Sequence, residues 1–374
     1  MLEIRIDFKK GSKFVCPECK ADHLPVYDTI EKTWRHLNFF QHACYLHARV
    51  PRITCPQCGV RLGNVPWSRK GSGFTLLFEA FVMTMAENMP VAAIARYLGE
   101  HDTRIWRILQ YHVSDARSRA NYHDVTSIAI DETSRRRGHQ YVTLVADVER
   151  KRVLYVTKGK DRHTIDRFVD DFHDHGGESS FIRSVCMDMS PAYIEAVREC
   201  LPNATITFDR FHVMKMANES LDQVRHADTK ANMYLKGSRS LWLRRAENLS
   251  EAQMANLKSL QYLNIKTSRA YQLFLNLRLF REAPIDCAEE YLQRWYNWAV
   301  RSRLEPFRKL AKTIKRHWIG IINYHRTKMT TGFMEGINSI IQAAKRKARG
   351  YRNTDNFITI IYLIAGKLSF NLPT

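Results

Sequence analysis

TSIAID (126–131), QYVTLVADV (140–148) and RVLYVTKG (152–159) are three β-rich runs; HTIDRFVDDFHDH (163–175), FIRSVCMD (181–188), PAYIEAVREC (191–200) and ATITFD (204–209) follow in alternation. The charged tetrapeptide ERKR between the second and third runs predicts a hairpin. Ile165, Phe168, Val169 and Phe172 recur at helical spacing, so an amphipathic helix is expected after the third strand. A further helix is expected from Phe211. The order βββαβαβα predicts a mixed α/β sheet, antiparallel first, with later strands added in parallel through crossover helices. Asp131, Asp188 and Asp209 end the first, fourth and fifth strands. Carboxylates at the carboxyl ends of neighbouring strands can converge on one site. If the first and fourth strands are neighbours, Asp131 and Asp188 can share a hard divalent cation.

That element order is the one found in ribonuclease H-like nucleases and integrases. The rest of the chain supplies its setting. A length of 374 residues predicts two or three domains, and 45% hydrophobic content excludes wholesale disorder. A net charge of +20 predicts a polyanionic partner. The longest apolar stretch, FITIIYLIAG (357–366), is about half of the roughly 20 residues needed to span a bilayer. MLEIRIDFKK lacks a signal-peptide core, so a cytosolic protein is expected, whose eight cysteines are thiols or metal ligands. The charge is uneven: +6 over residues 1–120, −2 over 121–220, +4 over 221–300 and +12 over 301–374. An acidic centre in a basic chain suits a metal-dependent enzyme acting on a polyanion.

Cys16-Pro-Glu-Cys19 and Cys55-Pro-Gln-Cys58 are two knuckles whose spacing lets both pairs of sulfurs reach one tetrahedral zinc ion. The segment between them is expected to carry small strands such as HLPVYDTI, and Cys44 and His47 form a further C-x-x-H. From 74 to 113 apolar residues recur at helical spacing. Ala95, Gly99 and the periodic Ile105, Ile108 and Leu109 fit a helix-turn-helix, with Thr103, Arg104 and Arg107 facing outward, where a major groove could be read.

Residues 215–320 read as an all-α insertion. Trp295 and Trp298 within it read as helix core, or as platforms for an unpaired base. Beyond it, Glu335 is the only acidic residue between Glu305 and Asp355, which makes it the third candidate carboxylate. Lys345, Arg346, Lys347, Arg349 and Arg352 follow as candidate contacts to DNA backbone, and Arg135, Arg136 and Arg137, after Asp131, as further phosphate contacts.

The paired C-x-x-C motifs, the helix-turn-helix, AIDETS (129–134), VCMDMSPAY (185–193), FDRFHV (208–213) and TTGFMEGINSIIQAAKRKARGYRN (330–353) together resemble the DDE-type insertion-sequence transposases of the ISL3 family over essentially the whole chain. The resemblance implies a ribonuclease H-like α/β catalytic core whose acidic triad is Asp131, Asp188 and Glu335, holding two Mg²⁺ or Mn²⁺ ions, with a helical insertion between the last two. It further implies recognition of terminal inverted repeats by the zinc and helix-turn-helix modules, and cleavage at the element ends followed by joining to target DNA. Asp209 and His212 match a D-x-F-H motif of the family and are possible auxiliary residues. The expected organisation is a zinc module (1–66), a helix-turn-helix domain (67–120), the first part of the core (121–214), the insertion (215–320) and the final part with its basic helix (321–374). A homodimer or higher oligomer on double-stranded DNA in the bacterial cytosol is expected, associated with the nucleoid and not with a membrane. A catalytically inactive DNA-binding regulator and a structure-selective nuclease without strand transfer are the competing readings.

Overall fold

The structure, a computed structural model, describes residues 1–136, 138, 140–244, 246–263 and 265–373. Arg137 lies outside the described residues. The chain forms two compact units, Met1–Ala120 with Ile341–Thr374, and Asn121–Ile340.

The first unit opens with a sheet of β1 (Leu2–Ile6), β2 (Val26–Phe39), β3 (His42–Cys55) and β4 (Gly59–Leu62), ordered β1-β3-β2 with β4 also on β3. The expected short strands are instead two 14-residue arms of one antiparallel hairpin, with Trp34 opposite Leu46 and Lys32 opposite Ala48. Trp34, Ala48 and Val50 are buried on one face, where Trp67 meets Trp34 edge to face at 5.6 Å. Three helices follow: α1 (Leu76–Asn88), α2 (Val91–Leu98) and α3 (Asp102–Ser118). The Thr75 hydroxyl caps α1 by accepting from the Phe78 N–H. Glu79 on α1 is fully buried, where it accepts from Arg69 Nε (2.9 Å) and Ser72 Oγ (2.6 Å) and lies 2.7 Å from His112 Nε2 on α3. A buried carboxylate needs such partners.

The second unit is built on β5 (Ser127–Arg136), β6 (Gln140–Asp147), β7 (Arg152–Lys158), α4 (His163–Asp174), β8 (Ser184–Met187), α5 (Pro191–Cys200), β9 (Thr205–Phe208) and α6 (Arg210–Thr229). This is the expected βββαβαβα order. The sheet runs β7-β6-β5-β8-β9; β5 pairs antiparallel with β6 and parallel with β8, and β8 pairs parallel with β9. Val185, Cys186 and Met187 of β8 are all fully buried, as in a strand covered on both faces. Asp131 does not end β5, because β6 continues to pair with it as far as Arg136 opposite Gln140.

The chain continues through helices α7 (Arg239–Leu243), α8 (Glu251–Gln261), α9 (Lys266–Leu279), α10 (Ile285–Arg301), α11 (Glu305–Arg316) and α12 (Trp318–Thr327). Buried Asp228 near the end of α6 accepts from the Thr267 backbone N–H (2.9 Å) and hydroxyl (2.8 Å) at the start of α9. Trp295 is core, its indole N–H donating to the Leu273 carbonyl at 2.8 Å, whereas Trp298 is exposed. α12 returns to the sheet edge, where Asn323 Nδ2 donates to the Ile206 carbonyl of β9 at 2.8 Å and Gly320 lies against the Phe208 ring. Helix α13 (Gly332–Lys347) follows, then α14 (Thr354–Ala365), which packs on α3 and α1 within the first unit. No helix among the described residues is long and apolar enough to cross a membrane.

Candidate functional site

The sheet register aligns the three aspartates. Ala129 of β5 pairs with Cys186 of β8, and Met187 of β8 pairs with Phe208 of β9. Carrying each ladder forward puts Asp131 level with Asp188, and Asp188 level with Asp209. Side chains at one level of adjacent strands point to the same face, and neighbouring strands are about 4.8 Å apart. The row therefore follows from β-geometry alone. Local bonds hold each carboxylate: Asp131 Oδ1 accepts from the Glu132 N–H (2.8 Å), Asp188 Oδ1 from the Ser190 N–H (2.9 Å) and Asp209 Oδ1, capping α6, from the Phe211 N–H (3.3 Å). Burial pushes the Asp131 carboxyl above the ordinary carboxylate range, and the charges of Asp209 and Asp188 add to the rise. The Glu132 N–H and the charge of His212 oppose it. So His212, like Asp209, belongs to the electrostatic surroundings of Asp131.

Glu335 reaches the same region from α13. One turn further along, Asn338 Nδ2 donates to Asp131 Oδ2 at 2.7 Å, which fixes that face of the helix over β5. Glu335 is exposed and, with Asp209, lines an open cavity of about 1250 Å³ in this unit. The donors are hard oxygens of the kind that take Mg²⁺ or Mn²⁺. Asn338 Oδ1, buried beside Asp131 without a hydrogen-bond partner, is one more. Among the described residues, only the four cysteines gather three or more metal-ligating atoms within 4.8 Å of one another; the carboxylates share a face without closing to that spacing.

Those cysteines are Cys16, Cys19, Cys55 and Cys58. The first knuckle is closed by the Lys20 N–H donating to the Cys16 carbonyl (3.1 Å); the second is the β3–β4 turn, where Cys55 pairs with Gly59 at φ +72°. Sulfurs around a tetrahedral zinc stand about 3.8 Å apart for a 2.3 Å Zn–S bond. The Cys19–Cys55 separation of 3.4 Å fits. Burial raises the Cys16 thiol, but N–H groups of Cys19 and Glu18 and the neighbouring sulfurs bring it down to about 7, favouring the thiolate that binds metal. Cys44 and His47 are outside this group; His47 Nδ1 is 3.0 Å from the Thr33 hydroxyl.

In the helix-turn-helix, Ala95 is buried, and Gly99 at φ +67° ends α2 in the left-handed conformation that a side chain would strain. Thr103 and Arg107 face solvent on α3. Arg104 is half-buried, paired with Glu100 and lying over the Phe74 ring at 4.3 Å.

With this geometry in place, comparison with known proteins is decisive. A family model described as a transposase, of the DDE type and ISL3 family, matches residues 128–361; the helix-turn-helix domain of transposase family ISL3 matches 64–113, and the zinc-finger of transposases IS204, IS1001, IS1096 and IS1165 matches 12–58. The chain belongs to the ISL3 family of transposases. It is 29% identical over 361 residues to the transposase for insertion sequence element IS1001 of Bordetella parapertussis, covering 92% of this chain and 86% of that one. The transposase for IS1557 of Mycobacterium tuberculosis is 28% identical over 368 residues, covering 89% and 81%. It is thus an insertion-sequence transposase with a helix-turn-helix DNA-binding domain.

The remaining basic residues of this ISL3-family transposase occupy two places. Arg346, Lys347, Arg349 and Arg352 are exposed at and beyond the end of α13, while Lys345 is half-buried and donates to Gln342 Oε1 at 3.1 Å. Arg135 and Arg136 sit on the last residues of β5 rather than in a turn, with Arg135 donating to Gln140 Oε1 at 3.0 Å. Sequence reasoning missed Asn338, whose signal was its place one turn after Glu335. It also missed Glu132, pushed up by burial and accepting from the Tyr193 hydroxyl at 3.3 Å.

Proposed function

We propose that this transposase binds the terminal inverted repeats of an insertion sequence, cleaves DNA at the element ends and joins them to target DNA by two-metal-ion chemistry. The observation that carries the reading is the level row Asp131–Asp188–Asp209 with the Glu335–Asn338 face of α13 laid over Asp131. Asp131, Asp188 and Glu335 would hold two Mg²⁺ or Mn²⁺ ions; Asn338 orients the Asp131 carboxylate, and Asp209 and His212 set the charge around it. When bound, such ions activate the attacking oxygen and stabilise the leaving one. In cleavage a water oxygen forms the new P–O bond as the P–O3′ bond breaks; in joining, the freed 3′ hydroxyl attacks a target phosphate and displaces a 3′ oxygen. Neither step needs a covalent protein intermediate.

Cys16, Cys19, Cys55 and Cys58 would hold one structural zinc. Thr103, Arg104 and Arg107 would read or position the repeat, with Arg104 restricted by Glu100 to a phosphate-facing role. Lys345, Arg346, Lys347, Arg349 and Arg352, and Arg135–Arg137, would contact backbone. Bringing two ends together calls for at least a dimer, acting in the cytosol where the DNA lies. The proposed organisation is a zinc module to about residue 66, helix-turn-helix to 120, and a catalytic core interrupted by the insertion at 215–320. The test is cutting of end-containing DNA: Asp131→Asn, Asp188→Asn and Glu335→Gln should each abolish Mg²⁺-dependent cleavage and keep sequence-specific binding. Full cleavage by all three would overturn the assignment.

A further inference from the structure

The cavity in the second unit does not stop at the carboxylates. Beginning at Asp209 and Glu335, it follows one face of α6 to its far end, past Phe211, Lys215, Asn218, Asp222, His226 and Lys230. Their spacing of three or four residues keeps them in one line. From Asp209 to Lys230 the helix rises about 31 Å at 1.5 Å per residue. Spread over that length, about 1250 Å³ gives a mean cross-section of roughly 40 Å², a passage about 7–10 Å across. The major groove of a duplex is alone about 12 Å wide, whereas stacked bases of one strand repeat every 3.4 Å or so. Because the cavity is open along its side, its floor takes one strand lengthwise, whereas a duplex would rest on its rim.

Its walls carry the chemistry that an unpaired strand needs. Arg239 is held by Asp222 (2.8 Å) and Arg281 by Glu282 (3.1 Å). Lys215, Lys230 and Arg278 also line the passage and have no carboxylate partner among the described residues. Phe211 is 54% exposed and Leu279 49% exposed, so ring and aliphatic surface are presented in the same space. With Arg210, the lining carries six basic side chains against six acidic ones, among them Glu219 and Glu247, so its charge is mixed and balanced rather than uniformly positive. Mixed walls of this kind suit a strand whose bases touch protein as well as its phosphates, because stacking and scattered cations share the binding.

We propose that this cavity is a channel for a single unpaired DNA strand running from the scissile phosphate along α6, up to about nine stacked nucleotides deep at 3.4 Å each. The proposal rests on the reading that the Asp131–Asp188–Glu335 centre cuts DNA.

The experiment uses the full-length, zinc-loaded protein without Mg²⁺. Binding is measured to a fluorescein-labelled 30-base-pair duplex, blunt or carrying an eight-nucleotide oligothymidylate extension at its 3′ or 5′ end. The wild type should bind one extended probe at least about 5-fold tighter than the blunt one, since stacking of even one base is worth that much. Lys215→Ala/Lys230→Ala/Arg278→Ala should lose that preference, leave blunt-duplex binding unchanged and flatten the log–log salt slope for the extended probe by about 2, at roughly 0.7 per cation. Photo-cross-links from 4-thiothymidine in the extension should map to residues 210–230 and 278–282. No preference in the wild type, preference retained by the triple variant, or cross-links confined to other segments would overturn the channel. Cutting without strand preference would sink the channel alone; strand preference without cutting would sink the catalytic reading alone.

Discussion

Gly320→Ala puts a methyl group into the contact that seats α12 on β9. A Cβ there would stand 2.4 Å from both Cδ2 and Cε2 of Phe208, against the 3.5–4.0 Å or so at which carbons pack. The ring has little freedom to yield: it is 5% exposed, it touches His317 edge to face at 5.2 Å, and its backbone is paired to Met187. Overpacking of this kind costs about 1–3 kcal/mol. Replacing a helical glycine returns about 0.5–1 kcal/mol, leaving a net loss on the order of 1–2 kcal/mol. For a unit of this size that is a fall in Tm of roughly 2–8 °C. Gly336→Ala is the matched control, a helical glycine whose added Cβ would meet nothing within 4 Å. It should gain stability, by up to about 1 kcal/mol. Thermal unfolding followed by circular dichroism compares the two. Because Phe208 precedes Asp209, Gly320→Ala should also slow end cleavage. A Gly320→Ala protein as stable as the Gly336→Ala protein would refute the packing argument.

Two further outcomes follow from the charged and metal-binding groups. Asp131 has its carboxyl raised by burial and by Asp209 and Asp188, so its ionised form costs stability at neutral pH, and the cost fades as pH falls through the raised value toward about 4. Asp131→Asn should therefore be more stable than the wild type at pH 7, with the gap closing in acid; urea unfolding that finds it less stable at pH 7 would contradict this. Chelation, or Cys16→Ser with Cys58→Ser, should expose residues 1–62 to proteolysis, because structural zinc supplies about 10–16 kcal/mol of folding free energy. Metal analysis finding well under one zinc per chain in the purified protein would count against the site.

What could be read from the sequence was whatever local pattern determines. The strand order, the knuckles and the glycine turn at Gly99 are set by periodicity or by residues a few positions apart, whereas the row of aspartates also needs β5 beside β8, the long-range pairing that sets Ala129 against Cys186. The length of the β2–β3 arms is hidden in the sequence because their outer face is charged, as at Glu31 and Arg49, and because Lys32 breaks the apolar run on the face of Trp34, Ala48 and Val50. In the sequence β5 has no end beyond Asp131, since only its partner β6 shows that the strand continues. Residues 321–374 read as one closing segment of the core, yet those from 341 onward group with the first unit, where apolar α14 meets α1 and α3. Gly320 carries no local signal and Asn338 only its place one turn after Glu335; their roles depend on Phe208 and Asp131, more than 100 positions away in the chain.

The aspartate row also determines where this chain can change length. A residue added or lost inside β8 or β9 would turn the carboxylate beyond it to the opposite face, because strand side chains alternate with a period of two. The connections between strands carry no such constraint, and the chain runs through α7–α11 between β9 and α12 before it returns to the same sheet edge. Insertions and deletions compatible with activity should therefore be confined to the joints and the helical excursion, leaving the spacing within each strand invariant among working copies of such an element.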